Sequence, residues 1–143
     1  MKKIISNILI IILIFSLITS KAFCFYIIVN KANPIKYIDK NYLKNIFLGH
    51  SVIWPNNTKI QLVDYNIDSD SKSSFCSTYL DVTPNKLSRI WLQVSLSGKA
   101  VPPKVFSSEK EVIRFVNENQ SAIGYVESNK NLSDDVKIIQ VKE

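Results

Sequence analysis

The segment at residues 68–74 concentrates the side chains best suited to hold an anion. It reads Asp-Ser-Asp-Ser-Lys-Ser-Ser and lies between an apolar stretch and a helical pattern. Hydroxyl groups and free backbone N–H groups at a helix start bind anions, and the helix dipole adds to the attraction. Ser69, Ser71 and Ser73 would donate hydrogen bonds, and Lys72 would add a positive charge. A solvated helix start is the alternative interpretation, because the two aspartates of the segment would repel an anion.

No other group of side chains predicts catalysis or metal binding. His50 is the single imidazole, and no acid or nucleophile completes a catalytic set around it, so a solvated loop residue is expected. The two cysteines, Cys24 and Cys76, do not have the spacing of a familiar zinc motif. The three glycines are widely separated, which excludes a glycine-rich phosphate loop. We therefore expect no enzyme, no metal and no cofactor.

Hydrophobic periodicity places the candidate segment between a strand and a helix. The chain has 143 residues and is 46% hydrophobic, which suits one domain with its own core. Its elements alternate as strand, helix, strand, three helices and two strands, which is typical of an α/β layer fold with a mixed sheet. Strands are predicted at 26–30, 59–64, 122–126 and 136–141, and helices at 40–48, through 75–80, from Pro84 to the Ser97-Gly98-Lys99 stop, and after Ser108.

Local signals fix three of the helix starts. Asp39 can cap the first helix, Thr83 followed by Pro84 can begin the third, and Ser108 with Glu111 forms a capping box for the fourth.

The two tryptophans, Trp54 and Trp91, are expected in the core, with a ligand platform as the alternative. Trp91 shares the apolar face of the third helix with Leu87, Ile90 and Val94.

The first residues are typical of a secretory signal peptide. Two lysines precede an apolar run at 8–18 that only Ser16 interrupts, whereas a membrane span needs roughly 20 apolar residues. We predict a signal peptide at 1–24 and one mature domain at 25–143. Cleavage before Phe23 and an uncleaved anchor are the alternatives.

Removal of residues 1–24 takes away three lysines and lowers the formal charge from +6 to +3. This charge and the predicted export argue against a nucleic-acid partner, and membrane contact is expected only during export.

Three stretches in this order resemble one family. They are Leu-Lys-Asn-Ile-Phe-Leu-Gly at 43–49 with Trp54 close behind, the segment from Pro84 to Trp91, and Ser-Ala-Ile-Gly-Tyr-Val at 121–126. The chain resembles the phosphate-binding proteins of ABC transporters, within the type II periplasmic-binding-protein superfamily, and is most similar to short exported members with little more than one lobe. The resemblance covers residues 26–141. It implies a three-layer lobe with a mixed sheet flanked by helices, and a periplasmic location.

The resemblance also implies a ligand turn. In the full-length family, phosphate lies between two lobes, and one lobe contributes a turn of the form Arg-Ser-Asp-Gly-Ser-Gly-Thr-Thr. When the chain is aligned with this turn on Phe75, Ser71 matches the serine that binds the ligand in the family. Ser73 matches a threonine of the family's turn, and Ser69 lies beside them. The chain departs from the pattern at the arginine, which is Ile67 here, and at the two glycines, one of which is Lys72.

Two functions from different classes follow from the sequence. The first is an exported solute-binding protein that takes phosphate or a similar oxyanion weakly through Ser69, Ser71, Lys72 and Ser73, with a transporter as its partner. The second is an interaction module that kept the lobe fold, lost the ligand, and acts through a protein partner or by self-association.

Overall fold

The computed structural model describes Met1 and residues 24–143, and the predicted signal peptide therefore falls almost entirely outside the described residues. Residues 24–143 form six strands and four α-helices, and α2 continues directly into a π-helical turn, Cys76–Leu80. The elements are β1 (Tyr26–Asn30), β2 (Tyr37–Asp39), α1 (Lys40–Phe47), β3 (Gln61–Tyr65), α2 (Asp70–Phe75), α3 (Pro84–Leu96), β4 (Lys104–Phe106), α4 (Glu109–Glu118), β5 (Ala122–Val126) and β6 (Val136–Lys142).

The strands form one mixed sheet in the order β2-β6-β1-β5-β3-β4. β1 runs antiparallel to both of its neighbours, whereas β3 is parallel to β4 and to β5. Gly124 in β5 faces α4, where an added Cβ would lie 3.1 Å from the side chain of Val112. Tyr125 faces the opposite side and packs on Phe47 of α1 and Phe75 of α2. Helices therefore cover both faces of the sheet, and the predicted three-layer α/β class is confirmed.

The predicted helix caps are present. Asp39 accepts hydrogen bonds from the backbone N–H groups of the first turn of α1, Thr83 caps α3, and Ser108 caps α4. Glu111 accepts a hydrogen bond from the Ser108 hydroxyl, which completes the predicted pairing at this end. At the other end of α1, Gly49 adopts a φ of +73°, a left-handed conformation in which glycine carries no Cβ penalty.

The core is built on aromatic rings around Tyr125. The ring of Phe75 stacks on Tyr125 with centroids 3.7 Å apart, and Phe25 and Phe47 contact Tyr125 edge-on. Edge-to-face packing is a favoured geometry of aromatic pairs, so the contacts of Phe25 and Phe47 with Tyr125 add to simple apolar burial.

Both tryptophans are core residues, as predicted. The Trp54 Nε1 donates to the Ser121 carbonyl at 2.9 Å, and the Trp91 Nε1 donates to the Phe47 carbonyl at 2.8 Å. Of the predicted α3 face, Leu87 and Trp91 are buried, whereas Ile90 and Val94 are half-buried.

The sheet differs from the sequence prediction at three strands. The short strands β2 and β4 were not predicted, because each has only three residues and depends on a neighbouring strand rather than on a local pattern. The strand predicted at 59–64 begins at Gln61 instead, since Lys59 forms a β-bridge with Ile53 just before it.

None of the helices within the described residues has the length and apolar character needed to cross a membrane.

Alkaline pH should destabilise this core. Burial, and then the charge of Asp64, raises the pKa of Cys76 from 9.0 to about 11, against the opposing charge of Lys72. Burial is also the main cause that raises the pKa of Tyr65 and of Tyr125 above 10.0. Groups with a raised folded pKa contribute full stability below their unfolded pKa and lose it as the pH rises through the folded value.

We therefore expect the urea midpoint to fall as the pH rises above about 9. The midpoint at about pH 10.5 should be clearly lower than the midpoint at about pH 8. Tyr65→Phe removes one of the titrating groups and should flatten this dependence. A midpoint that stays constant over the interval would contradict the expectation.

Candidate functional site

The candidate segment lies where the carboxyl ends of three parallel strands meet. β3 leads through the turn at 66–69 into α2, β4 leads through Ser107 into α4, and β5 ends beside Glu127. Asn66 joins the first two connections, because its Nδ2 donates to the Ser107 hydroxyl at 2.8 Å. Ligands of open α/β sheets bind at this edge, where the loops that follow neighbouring strands converge.

The structure brings two of the predicted serines to this edge. Ser69 caps α2, and its hydroxyl accepts the backbone N–H of Lys72 at 3.4 Å. Ser71 is half-buried, and its hydroxyl donates to the Glu127 carboxylate at 2.5 Å. Ser73 is exposed further along the helix, and its backbone N–H already bonds the Ser69 carbonyl.

Lys72 points into the protein rather than toward the edge. Its side chain is 8% exposed, and its ammonium lies 2.6 Å from the Asp64 carboxylate, which is 3% exposed. Asp64 also accepts hydrogen bonds from the Tyr125 hydroxyl at 2.7 Å and from the Tyr65 backbone N–H at 2.8 Å. The charge of Lys72 is therefore balanced beneath the serine turn.

Two carboxylates that sequence reasoning missed occupy the rest of the edge. Glu109, in the first turn of α4, accepts the backbone N–H groups of Glu127 at 2.5 Å and Ser128 at 3.2 Å. After burial, the charges of Glu109 and Glu127 are the next causes that raise the pKa of Tyr65. The edge is therefore electrically negative. A glutamate just after a predicted strand and another in the first turn of a predicted helix were the available signals.

The arrangement holds donors and acceptors that already satisfy one another. An incoming oxyanion would compete with Glu127 for the Ser71 hydroxyl and would meet two carboxylates nearby.

Within residues 24–143, no group of three or more His, Cys, Asp or Glu side chains is placed to hold a metal ion. His50 is exposed in the turn after α1, as predicted, with its Nδ1 3.4 Å from the Asn45 amide oxygen.

Several solved structures have the same fold. An ABC-type phosphate transport receptor from Vibrio cholerae is 24% identical with a TM-score of 0.60, and it is matched over 82% of this chain and 45% of its own. A second structure, from Clostridium perfringens, is assigned as a phosphate ABC transporter substrate-binding protein and holds bound phosphate. It is 21% identical with a TM-score of 0.67, and the match covers 82% of this chain and 44% of that protein. PstS from Borrelia burgdorferi is 21% identical with a TM-score of 0.63, and the match covers 82% of this chain and 46% of PstS.

The chain spans less than half the length of each of these three proteins. At these identities the likeness establishes the fold. No protein-family model matches the chain, and a comparison with curated proteins found no match.

Replacing Lys72 tests the pair beneath the turn. Lys72→Met leaves the Asp64 carboxylate buried without a counter-charge, which should lower the free energy of unfolding by about 3–5 kcal/mol. Adding Asp64→Asn removes the second charge and should recover most of this loss. Lys44→Met is the matched control. It breaks the exposed Lys44–Asp81 pair and should cost less than about 1 kcal/mol. Equal losses in urea unfolding for Lys72→Met and Lys44→Met would contradict the assignment.

Proposed function

We propose that this protein is an exported, single-lobe relative of the phosphate ABC transporter substrate-binding proteins. Residues 1–24 act as a cleaved signal peptide, and residues 25–143 form the domain that works in the periplasm. It binds phosphate or a similar oxyanion weakly at the turn that carries Ser69, Ser71, Lys72 and Ser73. Its role is binding without a chemical step.

The structural likeness to phosphate receptors is the observation that carries this proposal. The match covers 82% of the chain, and one of the matched proteins holds phosphate. The serine turn also lies at the carboxyl ends of parallel strands, the edge that α/β folds use for ligands.

Weak affinity follows from the state of the donors. The Ser71 hydroxyl already donates to Glu127, and Lys72 is paired with Asp64. A phosphate at Ser71 would have to displace the Glu127 carboxylate and would not gain the charge of Lys72. Ile67 also supplies no guanidinium, so the bidentate contact that favours oxyanions is missing.

The partner that this proposal implies is a transporter or another envelope protein. Two of the matched proteins belong to phosphate transport by their descriptions, and each of the three is more than twice as long as the matched region. A second lobe would supply donors from the opposite side of the anion and remove water from it, which strengthens charge-assisted hydrogen bonds.

Phosphate titration followed by amide NMR tests the proposal. We expect shifts centred on residues 69–73 and a dissociation constant weaker than about 0.1 mM, because one lobe contacts the anion from one side only. Ser71→Ala should weaken binding by about tenfold, the value of a hydrogen bond to a charged group. Ser88→Ala, on the exposed side of α3, is the matched control and should leave affinity unchanged.

Two results would contradict the proposal. A dissociation constant of a few micromolar would show that the single lobe suffices for tight binding. Shifts that centre elsewhere, or that persist unchanged in Ser71→Ala, would exclude the serine turn as the site.

A further inference from the structure

A large groove lies at the end of the strands opposite the serine turn. It has a volume of about 1060 Å³ and is bordered by the first residues of β3 and β4, by the residue before β5, and by the last turns of α3. Because β3, β4 and β5 are parallel, their amino ends lie together at this edge. The groove is therefore separate from the edge that carries Ser71 and Glu127.

The groove exposes apolar side chains that the core does not use. Val101 is 82% exposed and Ile53 is 46% exposed, and both line the groove beside the half-buried Ile60. Val105, on the adjoining strand β4, is 51% exposed. Exposed apolar side chains that gather around one groove are typical of an interaction site.

The rim of the groove is basic. Lys59, Lys99 and Lys104 line it, and Glu118 is the single acidic lining residue. The ion pairs of the described residues involve Lys40, Lys44 and Lys72, so none of the three rim lysines has a carboxylate within 4.0 Å. These unpaired charges repel a second copy of the same surface and attract a carboxylate-rich one.

The neighbouring strand offers backbone groups as well. β4 ends the strand order of the sheet, and within residues 24–143 its outer edge pairs with no other strand. An extended segment from another protein can add to such an edge through main-chain hydrogen bonds, with alternate side chains facing one way.

We propose that this groove binds an extended acidic segment of a partner protein. Apolar side chains of the segment lie against Ile53 and Val101, and its carboxylates pair with Lys59, Lys99 and Lys104. This interaction goes beyond oxyanion binding, because the two sites lie at opposite ends of the strands and can be occupied together.

A labelled peptide of about eight residues, with alternating glutamate and leucine, tests the proposal, since it would span roughly 26 Å in extended form. We expect saturable binding by fluorescence anisotropy, about tenfold tighter than for the same peptide with lysine in place of glutamate. Raising the salt concentration should weaken it. Lys99→Glu with Lys104→Glu should lower the affinity by about tenfold. Lys36→Glu with Lys110→Glu changes the net charge equally, away from the groove, and should bind as the wild type does.

Any of four results would overturn the proposal. Equal affinity for the two peptides would remove the charge preference, and a lack of saturable binding would exclude the groove as a site for such a segment. Equal loss in both double variants would reduce the effect to net charge. A concentration-dependent dimer that Val101→Ser abolishes would show that a second copy covers the groove.

Discussion

The buried carboxylate of Asp64 is the group on which both the core and the candidate site depend. It lies on β3 and joins the ammonium of Lys72 on α2 to the hydroxyl of Tyr125 on β5. Tyr125 in turn stacks on Phe75, which lies one helical turn after Lys72. Because a buried charge must keep its partners, this network fixes how α2 sits on the sheet and hence where the serine turn lies.

The two ends of the parallel strands have opposite characters. At the carboxyl ends, Lys72 is buried in an ion pair with Asp64. The carboxylates of Glu109 and Glu127 therefore give this surface its negative charge. At the amino ends, the rim lysines have no carboxylate partners, and the surface between them is apolar. A fold shared with phosphate transport proteins therefore presents a serine turn whose polar groups pair with one another at one end, and a basic groove with apolar lining at the other.

Sequence reasoning succeeded where the determinants are local. The caps at Asp39, Thr83 and Ser108 act within a few residues, so their types and spacing were enough. It failed where the determinants are distant: β4 exists through its pairing with β3, some 40 residues earlier in the chain. The contact between Ser71 and Glu127 spans 56 positions, and nothing in the local pattern joins them. The burial of Lys72 likewise depends on Asp64 in the preceding strand, so a lysine in a polar run gave no sign of it.

The Glu127 carboxylate accepts the hydrogen bond of the Ser71 hydroxyl, the donor that an incoming oxyanion would need. The most direct measurement is the phosphate affinity of Glu127→Gln beside the wild type, by amide NMR, with Glu118→Gln as the control at the opposite end of the strands. Glutamine keeps the shape of the side chain and removes its charge. We expect Glu127→Gln to bind phosphate about tenfold more tightly and Glu118→Gln to bind as the wild type does. Unchanged or weaker binding by Glu127→Gln, with a wild-type urea midpoint, would contradict the claim.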